Sequence, residues 1–240
     1  MGLEFSSVIW LTTKVSLLGA FCALDRTAFL QMMLSRPLAA ATFAGALAGN
    51  WELGLLIGVA LELCFLSEIP VGTTIPTDDT LLALAAGGAG AGLSTLPQYA
   101  DQTQTLALLV LVSTLPWSAF TRRVDGWVRV RNAQLIDEVE TALLAGHRLD
   151  GSDRVAINFH LHGLLNFYGA AVVAVALMML SSLLLVPLLL FLVPDWMRPL
   201  TDRLLFIFPV IGIAGLLNNM NHKRQLVVFA GVAAALLFFV

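Results

Sequence analysis

Of the 240 residues, 58% are hydrophobic and only 12% are charged, where a soluble domain carries about 25% charged residues. Together with a mean hydropathy of +0.87, this excludes an ordinary soluble domain and implies one integral membrane domain over residues 1–240, with no room for a large soluble one. The net charge of −3 comes with no basic stripe, which excludes nucleic acid as a partner.

The first apolar segment runs from Ser7 to Leu24, with Lys14 placed to snorkel toward an interface. The start MGLEFSSVIW lacks a basic region, so this segment is expected to stay as a span. Cys22 and Cys64 lie in apolar runs and read as small buried hydrophobes, not as a disulfide framework. Asp25, Arg26 and Arg36 then surround a short amphipathic piece, and Pro37 suits the first turn of a helix. Residues Leu38 to Asn50 and Leu53 to Leu66 are each too short to cross about 30 Å of hydrocarbon. They read as a helical hairpin with a polar turn at Asn50-Trp51-Glu52. Gly45 with Gly49, and Gly54 with Gly58, carry the small-residue spacing that lets helices approach closely. The pairs Met32-Met33 and Met178-Met179 are expected in the core.

The next stretch is unusual. Glu62, Glu68, Asp78 and Asp79 stand among apolar residues, and Pro70 and Pro76 interrupt any helix between them. On the insertion scale each carboxylate at mid-membrane costs roughly 2.5–3.5 kcal/mol. Neighbouring leucines and valines return only about 0.3–0.6 kcal/mol each. A lipid-facing helix is therefore excluded, and a non-helical crossing near Val71–Thr77, covered by protein, is predicted. Acids beside broken helices point to a substrate site in a transporter. Thr77 or Asp78 can cap the following helix, with Asp79 in its first turn. That helix runs into the Gly87–Gly92 cluster and ends before a polar loop from Ser94 to Thr103.

Gln104 to Phe120 is another apolar segment. Thr121 to Asn158 is the long hydrophilic stretch, with six arginines and a middle portion of helical spacing that places Leu135, Val139, Leu143 and Leu144 on one side. Gly146 is a plausible stop. By the positive-inside rule, residues 121–158 form a cytoplasmic loop between two halves of the chain. Leu161 to Val193 exceeds one span, and Ser181-Ser182 or Pro187 would allow a bend or a second, shorter segment. Further apolar runs cover Leu204 to Leu217 and Gln225 to Val240. The predicted fold is all-α, a polytopic membrane protein with roughly six to eight hydrophobic segments, including re-entrant or broken helices.

Several of these pieces resemble one family. Leu24-Asp25, Arg36-Pro37-Leu38, Gly45 with Gly49, the Gly54-to-Gly58 run, Leu61-Glu62-Leu63, Val71-Gly72 and Ile75-Pro76 with Asp78 are similar to the membrane subunit IIC of the mannose/fructose/sorbose class of the bacterial phosphotransferase system. Phe120-Thr121-Arg122 and ALLAGHRLDGSDRVAINFHLHGLL extend the resemblance over most of residues 8 to 180. The adjacent acids Asp78 and Asp79 depart from the single acid the family often shows at this turn.

The resemblance implies a multi-pass protein of the bacterial cytoplasmic (inner) membrane that takes up a hexose-like sugar. It implies a second membrane subunit, IID, soluble IIA and IIB phosphocarriers, and an oligomeric assembly in the lipid bilayer. It implies no phosphorylated residue, catalytic group or cofactor in this chain. The alternative is a non-transporting membrane scaffold or sensor descended from such a carrier. An intramembrane aspartyl protease is disfavoured, because Asp78 and Asp79 are adjacent and no glycine-x-glycine-aspartate motif occurs.

The candidate sugar-binding residues are Glu62, Glu68, Thr73, Thr74, Thr77 and Asp78. Carboxylates accept hydrogen bonds from sugar hydroxyls, and charged acceptors form the stronger bonds. For Glu62 the competing reading is a buried acid paired with Lys14, an arginine or a backbone donor. Asp78 could equally be a helix cap, and Asp79 reads as structural. His160 and His162 read as interfacial, since a metal site needs more ligands than this pair.

Overall fold

The computed structural model describes the backbone of residues 5–26, 29, 31–68, 76–144, 154–219 and 223–239. Among these the fold is all-α: α1 (Phe5–Leu24), α2 (Pro37–Ala48), α3 (Trp51–Cys64), α4 (Asp79–Ser94), α5 (Thr103–Thr114), α6 (Ser118–Leu144), α7 (Arg154–Leu192), α8 (Arg198–Leu204), α9 (Ile207–Asn219) and α10 (Lys223–Phe239). Three stretches of the described residues are long and apolar enough to cross a membrane: Phe5–Leu24, Thr103–Thr141 and Phe159–Leu192.

α4 is the centre of the molecule. Every residue from Thr80 to Leu93 is buried, and α1, α2, α3, α5 and α7 all pack on it. Alanine and glycine on all sides make this possible, because each neighbour approaches its backbone directly. A Cβ on Gly87 would stand 2.5 Å from the Ala41 carbonyl oxygen of α2. One on Gly88 would meet Val15 of α1 and Met179 of α7, one on Gly90 would meet Ile57 of α3, and one on Gly92 would meet Leu11 of α1.

The half-length hairpin predicted from the two short runs is present as α2 and α3, about 18 and 21 Å long at 1.5 Å per residue. Gly45 and Gly54 face one another, so that a Cβ on Gly45 would lie 2.8 Å from the Gly54 Cα, and Gly58 sits against the Leu38 backbone. Gly49 departs from its expected part in this interface. Its φ of 102° closes α2 in the left-handed conformation, with the Gly49 and Asn50 amides donating to Ala46 and Gly45 carbonyls. Asn50 then caps α3 by accepting from the Leu53 amide, and its side-chain amide donates to Ser94 Oγ at the end of α4. The hairpin tip is thereby fixed at one end of the bundle, and the start of α2, the end of α3 and the start of α4 lie together at the other.

α5 and α6, joined through a 3-10 turn at Leu115–Trp117, continue past that second end beside the first half of α7. Asn132 ties the two rods: its Nδ2 donates to the Gly163 carbonyl (3.2 Å) and its Oδ1 accepts from Asn166 Nδ2 (2.8 Å). The hydrophilic stretch is thus mostly α6, while the expected stop at Gly146 lies outside the described residues. Leu135 and Val139 of its apolar side line a cleft against Phe159 and Leu164, but Leu143 and Leu144 are exposed.

Two further expectations are corrected. α7 is one helix from Arg154 to Leu192 with Pro187 inside it, so no second, shorter segment begins at Ser181-Ser182. Ser182 is instead buried and accepts from Ser113 Oγ of α5, an interhelical bond rather than a break. Met32 and Met33 are exposed, unlike the fully buried Met178 and Met179. The cause is Asp25, 3% exposed, whose carboxylate accepts from the Met32 amide (2.6 Å) and the Ser35 amide (3.2 Å). It gathers the backbone inward, with Gln31 and Met33 at positive φ, and turns these side chains out.

Candidate functional site

The acids of the sequence meet at the end of the bundle opposite the hairpin tip. After α3 the chain makes one 3-10 turn, Phe65–Ser67, and residues 76–78 before α4 have no regular structure. Thr73, Thr74 and the part of the predicted crossing from Val71 to Ile75 lie outside the described residues. The two ends of the connection are nonetheless joined. Glu68 Oε2 accepts from the Thr77 amide at 2.9 Å, and Glu68 Oε1 accepts from Thr77 Oγ1 at 3.1 Å.

Asp78 is the N-cap of α4, with Oδ1 accepting from the Leu81 amide at 3.3 Å, and Asp79 lies in the first turn. Both carboxylates are thus at the positive end of a helix dipole. Both also face Arg26, which follows α1. Arg26 Nη1 donates to Asp78 at 3.2 Å and more closely still to Asp79, while Nη2 donates to the Thr77 carbonyl at 3.1 Å. Thr80 Oγ1 donates to the Ser35 carbonyl and joins the same end of α4 to the segment before α2.

From the other side, Arg122 of α6 donates through Nη2 to Thr77 Oγ1 at 2.9 Å and lies 3.8 Å from Glu68 Oε1. Glu62 stands apart on α3. It pairs with Arg36 at 3.4 Å, and its second oxygen accepts from the Leu38 amide at 3.3 Å, one of the unpaired donors that open α2.

Among the described residues Glu68, Asp78 and Asp79 meet Arg26 and Arg122, and Glu62 with Arg36 lies at the same end, so these carboxylates exceed these guanidinium groups by one. The amino ends of α2 and α4 offset part of it. This pairing offsets part of the cost that the isolated acids would carry. Glu68, Thr77 and Asp78 are brought together; Glu62 is at the same end but has its own partners. Glu68 is the most open of the four acids, with its side chain 35% exposed, and Thr77 is buried. A carboxylate oxygen carries two lone pairs, so Glu68 can accept from a ligand hydroxyl in addition to Thr77.

Sequence reasoning missed Arg26 and Arg122 as the holders of this site. Their nearest signal was position: each stands at the boundary of an apolar segment, where a loop or a topology signal also explains an arginine.

A family model described as the phosphotransferase system sorbose-specific IIC component matches residues 9–238. No curated protein sequence matches the chain. Among solved structures, one of a membrane protein is similar at a TM-score of 0.63 and 17% identity, covering 97% of this chain and 87% of that one. The cryo-EM structure of the mannose transporter ManYZ with microcin E492 is similar at 0.54 and 18% identity, covering 98% of this chain and 88% of the other. At these identities the structural likeness establishes the fold alone.

Proposed function

The chain belongs to the sorbose-specific IIC family and is a membrane subunit of a phosphotransferase sugar transporter; from that premise, we propose that it binds a hexose-like sugar at the connection between α3 and α4 and carries it across the bacterial cytoplasmic membrane. The observation that carries the reading is the meeting of Glu68 and Thr77, with Asp78 beside them, where the chain passes from α3 to the buried helix α4. Glu62 flanks this set on α3, and Thr73 and Thr74 belong to the same connection in sequence.

In this proposal the partners are a second membrane subunit, IID, and soluble IIA and IIB phosphocarriers that phosphorylate the sugar as it emerges. The test is sugar uptake in cells lacking other carriers for hexoses. Uptake is expected only when this chain and its membrane partner are expressed together. Absence of uptake for every hexose tried, with both proteins in the membrane, would favour the scaffold or sensor.

The same reading puts residues 121–158, and so the ion-paired end of the bundle, at the cytoplasmic face. The excess of arginine in this stretch supports it. Ala133 is exposed on α6. Ala133→Cys, in a background without Cys22 and Cys64, is expected to resist a membrane-impermeant thiol reagent in intact cells and to react once the cells are opened. Labelling in intact cells would reverse the orientation.

A further inference from the structure

Two guanidinium groups from different parts of the chain grip Thr77, and they are unequal. Arg26 holds its carbonyl and is itself locked by Asp78 and Asp79 in a largely covered cluster. Arg122 holds its hydroxyl from α6 by a single 2.9 Å hydrogen bond, with Glu68 at 3.8 Å and its own side chain 52% exposed. An exposed ion pair of this length contributes little in water, so the Arg122 contact is the one that can open while the Arg26 anchor stays.

We propose that Arg122 is a positioning residue that latches α6 onto the connection between α3 and α4, and that sugar competes with it for Glu68 Oε1 and Thr77 Oγ1. This rests on the sugar-binding reading above for its second half only. The two oxygens Arg122 approaches are also those a ligand hydroxyl would use. α6 is tied to α7 through Asn132, so a displacement of this pair of rods would pull on Arg122 and release the connection. Sugar arrival and movement of α6 are thereby linked: each favours the open latch.

The test is amide hydrogen exchange at single-residue resolution on the purified protein, with sugar affinity measured alongside. In Arg122→Met the Thr77 amide, which donates to Glu68, is expected to exchange about tenfold faster, on the scale of one net hydrogen bond. Amides in the core of α4 should be unchanged. Arg122→Lys keeps the charge and should fall between, and Arg123→Met, which alters a neighbouring exposed arginine, should leave Thr77 as it was. Sugar is expected to bind Arg122→Met several-fold more tightly, because its competitor is gone.

Unchanged exchange at Thr77, or loosening confined to α6, would overturn the latch. If Arg122→Met does not accumulate, Arg122→Lys decides by the same reading. Faster exchange at Thr77 with unaltered sugar affinity would keep the latch and remove Glu68 and Thr77 from the sugar site, which separates failure of this inference from failure of the functional reading.

Discussion

Arg26→Met is expected to lower the stability of the folded protein by about 3–5 kcal/mol, the cost of removing one partner from a buried ion pair. Arg26 is the common partner of Asp78 and Asp79, and all three side chains are at least about three-quarters covered. Without the guanidinium two carboxylates would face each other at the start of α4, and the Thr77 carbonyl would keep only the Asp79 amide as a donor. Since a domain has only about 5–15 kcal/mol in reserve, membrane abundance and the thermal midpoint should both fall sharply. Arg26→Lys should recover part of the loss, because an ammonium restores the charge but not the fork that reaches Asp78, Asp79 and Thr77 together. Combining Arg26→Met with Asp79→Asn should also recover part of it, since one of the two stranded charges is gone. A thermal midpoint in Arg26→Met equal to that of the parent would show that the cluster does not hold the start of α4.

The helices were more legible in the sequence than the charge pairs. Two apolar runs too short to span, with glycines four apart and a polar turn between them, specify the α2–α3 hairpin because only small residues allow that approach. The start of α4 was readable from Pro76 followed by Asp78 and Asp79, a local cap pattern that the structure repeats in the Asp78–Leu81 bond. The pairing of the acids was not. Arg26 is 52 and 53 residues from its partners and Arg36 is 26 from Glu62. Periodicity holds no information on contacts of that separation.

The errors have local causes. Pro187 reads as a break by propensity, yet α7 tolerates it within a long apolar helix. Met32 and Met33 read as core by composition, but their orientation is set by backbone bonds to Asp25, a residue whose burial only the fold reveals. Gly49 fitted a packing motif by spacing, while its conformation ends α2.

The site itself was half legible. Glu68, Thr77 and Asp78 were singled out because acids and a hydroxyl beside prolines in an apolar stretch need a reason. That Glu68 and Thr77 would bond to one another across the connection needed the fold.

The most direct test of this site is sugar affinity of the purified transporter with Glu68→Gln. Glutamine keeps the shape and one acceptor oxygen, so Thr77 retains a partner and the protein should fold with an unchanged thermal midpoint. What is lost is the charge on the acceptor proposed to face the ligand. Turning a charged hydrogen bond into a neutral one should weaken binding by roughly 1–3 kcal/mol, about five- to over a hundredfold in affinity. Weaker binding of that size in a normally folded variant is the result expected if the sugar lies against Glu68; unchanged affinity would place it elsewhere in the molecule.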